Sequence, residues 1–147
     1  MIKISKEIER AAKECGIDLI VVKKEEAEEI VNCIKQKYRK SNKYSFMWDE
    51  LNDFSVINNK DRWTYIKDFI GDSSCLLFFN VFDDKTVFKL NNGMDLHEIL
   101  GETYGFEFYV TNMETQYLIF FSHHDCLYGC GTAKEWVNKL AQLQMEK

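Results

Sequence analysis

Two imidazoles, a carboxylate and two thiols crowd into one short run, Ser122-His123-His124-Asp125-Cys126-Leu127-Tyr128-Gly129-Cys130-Gly131. Imidazole, thiolate and carboxylate together form the ligand set of zinc and other transition metals. Cys126 and Cys130 stand four apart, a spacing that zinc-ligand pairs use. Two features count against a closed metal site. Adjacent strand residues point to opposite faces, so His123 and His124 meet one ion only if the strand breaks there. The chain also has no second cysteine pair at such spacing, and His97 is its one other histidine.

The same run offers a nucleophile. Cys130 lies two residues before Thr132, the expected N-cap of the last helix, with Gly129 and Gly131 on either side. A thiol near a histidine and a helix N-terminus can have a lowered pKa and attack as thiolate. The third reading is structural. Asp125 and the histidines would satisfy backbone groups where a strand ends, and the glycines would supply the turn. The structural reading is the one adopted, so no catalytic residue, metal or cofactor is expected. His123, His124, Asp125, Cys126 and Cys130 stand as the alternative site, that of a small metal-binding or thiol-dependent enzyme.

The elements that would position this run follow from apolar periodicity. Ile8, Ala11, Ala12 and Cys15 form a helical stripe from Ser5 as N-cap to Gly16. Ile17 to Val22 is a strand or a packed connection. Ala27, Ile30, Val31, Ile34 and Tyr38 mark a second helix, acidic at its start and basic at its end, which complements the helix dipole. Residues 41–59 read as an irregular aromatic segment that packs on the core. A third helix starts near Lys60 and stops at Gly71.

Cys75 to Phe82 is a buried strand, and Thr86 to Leu90 returns beside it as a hairpin. Asp95 and Glu98 suggest a capping box for a short helix through Leu100. Phe106 to Thr111 alternates, with Phe106, Phe108 and Val110 on one face and Glu107 and Tyr109 on the other. Gln116 to Ser122 is apolar on both faces and so central in its sheet. A last helix starts at Thr132 and turns Trp136, Val137, Leu140 and Leu143 inward. The sum is an α+β fold in a single domain, residues 1–147. N-terminal helices precede an antiparallel sheet of four or five strands with helices over one face, and a C-terminal helix closes it.

The 147 residues are 46% hydrophobic and 14% aromatic, enough for a core without metal or disulfides. Five irregularly spaced cysteines suit reduced thiols in a cytosol. The N-terminus lacks a signal-peptide pattern, and no apolar run reaches membrane-spanning length, so a cytoplasmic protein is expected. The net charge of −5 divides unevenly: residues 1–70 carry +1 and residues 71–147 carry −6. An acidic half repels nucleic acid and anionic membrane and attracts a basic protein.

The strand ending in His123-His124-Asp125, then Gly129-Cys130-Gly131-Thr132-Ala133 and the Trp136 helix, resembles small bacterial proteins, some of them like the immunity proteins of polymorphic toxin systems. The resemblance covers the last third of the chain. It implies a small, acidic, cytosolic and non-catalytic protein that neutralises a toxin. Together these features point to a non-catalytic, acidic protein-binding domain with a basic partner. The expected contact residues are Asp83, Asp84, Glu102, Glu107 and Glu114, with Tyr109 as an outward aromatic anchor. The oligomeric state is open.

Overall fold

Strands that are apolar on both faces need a cover on both faces. β3 (Cys75–Phe78) and β6 (Tyr117–Phe121) are such strands, buried at every position. The structure, a computed structural model, describes residues 3–39, 51–103 and 106–145. Its element order is α1 (Ile4–Cys15), β1 (Ile20–Val21), α2 (Lys24–Tyr38), β2 (Phe54–Asn58), α3 (Ile66–Ile70), β3, β4 (Phe88–Leu90), α4 (Gly93–Gly101), β5 (Phe108–Thr111), β6, β7 (Cys126–Gly131) and α5 (Ala133–Met145). A 3₁₀ turn, Arg62–Tyr65, leads into α3.

The α+β class stands, but among the described residues the sheet has seven strands, not four or five, in the order β1-β4-β3-β5-β6-β7-β2. Every neighbouring pair is antiparallel. The helices also lie on both faces rather than one. Ile8, Ile66, Leu96 and Val137, from α1, α3, α4 and α5, pack with Leu77, Val110 and Ile119. Ile30 and Ile34 of α2 pack on the opposite face with Leu76, Leu118 and Phe120.

The strands that escape the sequence are β2 and β7, and each has a physical reason. β2 inverts the usual pattern, with Phe54 and Val56 outward and Ser55 and Ile57 buried. Of the aromatic segment 41–59 read as irregular, residues 41–50 lie outside the described residues and 54–58 are this strand. β7 carries two glycines, which weaken a strand signal. Gly129 is there because α5 crosses closely: a Cβ would sit 2.6 Å from the Ala133 carbonyl oxygen and from Val137 Cγ2.

Two helix starts also differ from expectation. α4 is capped by Asn92, whose Oδ1 accepts the Asp95 amide at 2.8 Å, so Asp95 is the recipient and not the cap. Lys3 precedes α1 without a side-chain cap. Its first turn is capped instead from a distance: Asp84 Oδ2 accepts the Ser5 amide at 2.8 Å and Oδ1 accepts the Thr86 amide at 3.0 Å. Burial pushes the Asp84 carboxyl up, but the amides of Thr86 and Ser5 outweigh it and hold the group below its ordinary 3.8.

A depressed carboxyl contributes stability above its unfolded pKa and loses it as pH falls through the folded value. Asp84→Ala is expected to cost about 1 kcal/mol at neutral pH. At acid pH, once the folded carboxyl is protonated, the variant and the parent should converge. Urea melts at the two pH values check this, and a constant difference across them would contradict it.

Candidate functional site

β6 and β7 form a tight hairpin, and His123, His124 and Asp125 are its turn. The Asp125 amide donates to the Ser122 carbonyl, and the Ser122 amide to the Cys126 carbonyl. Asp125 has φ 62, the left-handed conformation that a three-residue hairpin loop needs at its last position and that aspartate tolerates. Ser122 Oγ accepts the amides of His124 and Cys126, both at 3.2 Å. The side chain that holds the turn's backbone is thus that of Ser122.

A buried polar chain ties that turn to the sheet. Tyr109 Oη donates to Asn80 Oδ1 at 2.7 Å, and Asn80 Nδ2 donates to Glu107 Oε1 at 2.9 Å. Glu107 Oε2 accepts the His123 amide at 3.1 Å and lies 2.5 Å from His123 Nδ1. The ends of β3, β5 and β6 meet here, because Phe78 is in register with Tyr109 and Tyr109 with Phe120. The imidazole is therefore oriented by a carboxylate, the arrangement of a general base. A base needs a group to activate, and neither thiol serves. Cys126 Sγ accepts from Asn58 Nδ2 at 3.3 Å. Cys130 is buried in the α2 face, and burial first, then Asp53, pushes its thiol up to about 12.

The lowered Cys130 pKa that the thiol-enzyme alternative requires is thus replaced by a raised one. The segment ahead of α5 is strand β7, and it holds the thiol in the core. His123 and His124 stack with ring centres 3.9 Å apart. Among the described residues, no three His, Cys, Asp or Glu side chains come together to hold a metal ion. His123, His124, Asp125, Cys126 and Cys130 therefore share a hairpin without converging on one point.

The expected contact residues do not converge either. Tyr109 is 0% exposed. Its face of β5 lies between α2 and the sheet, where its ring stacks on Phe78 at 5.0 Å and Phe120 at 4.5 Å. The outward anchor is a core residue, because the sheet is covered on that face too. Glu107 and Asp84 are held by the internal bonds described above. Asp83, Glu102 and Glu114 are exposed. Glu102 accepts Arg10 of α1 through its carbonyl on the four-helix side. Asp83 lines a trough with the Lys24–Lys35 side of α2. The Glu114 carbonyl meets Lys37 at the far end of that helix. Glu102 and Asp83 thus sit beside helices on opposite faces of the sheet, and the six residues form no single patch.

What the sequence does not reveal is Asn80, the link that joins Tyr109 to Glu107. Its signal was a lone amide closing an apolar strand, where a buried polar group needs partners. The sequence also gives no hint of a trough of about 780 Å³ between α2, β1 and the β3–β4 loop. Val22, Ala27, Val31 and Val81 line it, with lysines along its sides. Among the described residues, no helix is long and apolar enough to cross a membrane.

No curated protein matches the chain. The model of DUF6756, a family of unknown function, matches residues 1–143. That span takes in all seven strands and reaches deep into α5, and the chain belongs to the DUF6756 family.

Proposed function

We propose that the chain is a non-catalytic protein-binding domain, with toxin neutralisation the role its resemblance to immunity proteins suggests. One observation carries the reading: among the described residues, both edges of the sheet are apolar and uncharged. Ile20 and Val21 of β1 are each 54% exposed, and Phe54 and Val56 of β2 are 41% and 44% exposed. Natural sheets blunt their edges with very short strands, charge, proline or bulges, because bare edges recruit other strands; β1 has only its two-residue length for this, and the five-residue β2 is the longer bare edge. Neither edge strand holds a charged residue, and the chain has no proline at all. Edges of this kind are suited to a protein that covers them.

The basic partner expected from the acidic C-terminal half loses its main support, since Tyr109 is buried and the carboxylates are dispersed. A protein partner remains, recognised by sheet edge and apolar contact. All five cysteines are free, which fits the reducing cytoplasm where an immunity protein would meet its toxin.

Co-expression with each protein encoded beside the chain in its genome tests this. A stoichiometric complex is expected with one of them, with growth restored if that neighbour is toxic. A chain that binds none of its neighbours, and leaves a toxic one fully active, would overturn the reading.

A further inference from the structure

The trough beside β1 holds an uneven set of charges. Lys3, Lys24, Lys35 and Lys85 line it, and among the described residues none of the four has an ion-pair partner. Three carboxylates line it too. They are Glu28, Asp83 and Asp84, the last held in place by the Ser5 and Thr86 amides but still charged, so the four ammonium groups outnumber them by one. Val22, Val31 and Val81 are the buried or half-buried part of the lining, and Lys3, Lys24 and Lys85 are exposed. A surface that is apolar where buried and cationic where exposed complements a segment with apolar and acidic side chains in alternation.

The backbone at its border says which shape that segment takes. Ile20 pairs with Lys89 and Val21 with Phe88, and the Val22 amide donates to the Val87 carbonyl. In this antiparallel register Ile20 and Val22 spend their backbone groups on β4, and Val21 turns its amide and carbonyl away from the sheet. Among the described residues, β1 is the last strand on that side. Val21 also lines the trough, so an outward donor and acceptor sit at its border.

We infer that this trough takes an extended acidic segment of the protein partner, which pairs with Val21 along the open edge of β1. The inference rests on the protein-binding reading and names the edge and the chemistry. Apolar side chains of the segment meet the valines, and its carboxylates meet the lysines. The contact is electrostatic at its rim, so added salt weakens it.

The test uses a fluorescent synthetic peptide alternating valine with glutamate, titrated against the whole chain. Saturable binding that weakens with salt is expected. Lys24→Glu, Lys35→Glu and Lys85→Glu combined should raise Kd about tenfold or more. Val21→Pro should do likewise, since it removes one outward donor from an edge strand, where proline is tolerated. Circular dichroism melts matching the parent would show that both variants remain folded.

Equal binding of a peptide with lysine for glutamate would overturn the inference. So would displacement of the peptide by decanoate together with unchanged binding to Val21→Pro, which would mark a site for an anionic amphiphile. If the chain captures a neighbouring gene's protein and the lysine triple variant captures it equally well, the trough is excluded and the protein-binding reading stands. If no protein is captured at all, both fall.

Discussion

Replacing Gly131 with alanine is expected to cost the fold about 3–5 kcal/mol, a large loss for one methyl group. Two strains add. Gly131 has φ +62, which an alanine adopts only at a cost. Its Cβ would also lie 2.4 Å from the Gln116 carbonyl oxygen and 2.7 Å from Tyr38 Oη. Neither neighbour can retreat easily. The Gln116 carbonyl accepts the Thr132 amide at 3.1 Å, and Tyr38 Oη donates to the Thr115 carbonyl at 2.7 Å. Thermal unfolding should shift down by about 10 °C or more. Gly129→Ala meets contacts of 2.6 Å without positive φ and should cost less, about 1–3 kcal/mol. Near-parental stability in Gly131→Ala would mean that β7 does not leave the sheet at Gly131 in this way.

The second large effect belongs to Tyr109. Truncation to alanine removes a fully buried ring from between Phe78 and Phe120 and should cost about 3–5 kcal/mol. Tyr109→Phe separates the ring from its hydroxyl. It keeps the stack but leaves Asn80 Oδ1 without its donor, for about 1–3 kcal/mol. The effect should also travel. Asn80 orients Glu107, and Glu107 holds the His123 amide, so amide exchange at His123 should quicken in Tyr109→Phe. Unchanged exchange there would show that the links act independently.

These two residues also show how far the sequence could be read. The periodicity of α2, the β3–β4 hairpin, the stop at Gly71 and the two faces of β5 were all legible, because local pattern determines them. What Tyr109 faced was not legible. Alternation separates two faces, but which face meets water depends on a helix that crosses from elsewhere in the chain. α2 supplies that cover, and its own stripe does not say on which side of the sheet it docks.

The strands at one side fail for a similar reason. β7 is a strand because it pairs with β6 and β2 at once, and its glycines answer to α5 and to Tyr38. No local signal carries such contacts. The histidine run was legible as a strand end, and the turn conformation of Asp125 agrees with that reading. Its link to Glu107 spans sixteen positions and follows only from the register of β5 and β6.

The most direct test of the account is amide hydrogen exchange across the chain, alone and with the protein that co-purifies with it. Slowed exchange is expected at the outward amide of Val21 or along Phe54–Asn58, with the His123 turn unaffected. Contradiction would come from a complex that protects neither rim of the sheet, or from turnover by the isolated chain that disappears in His123→Ala.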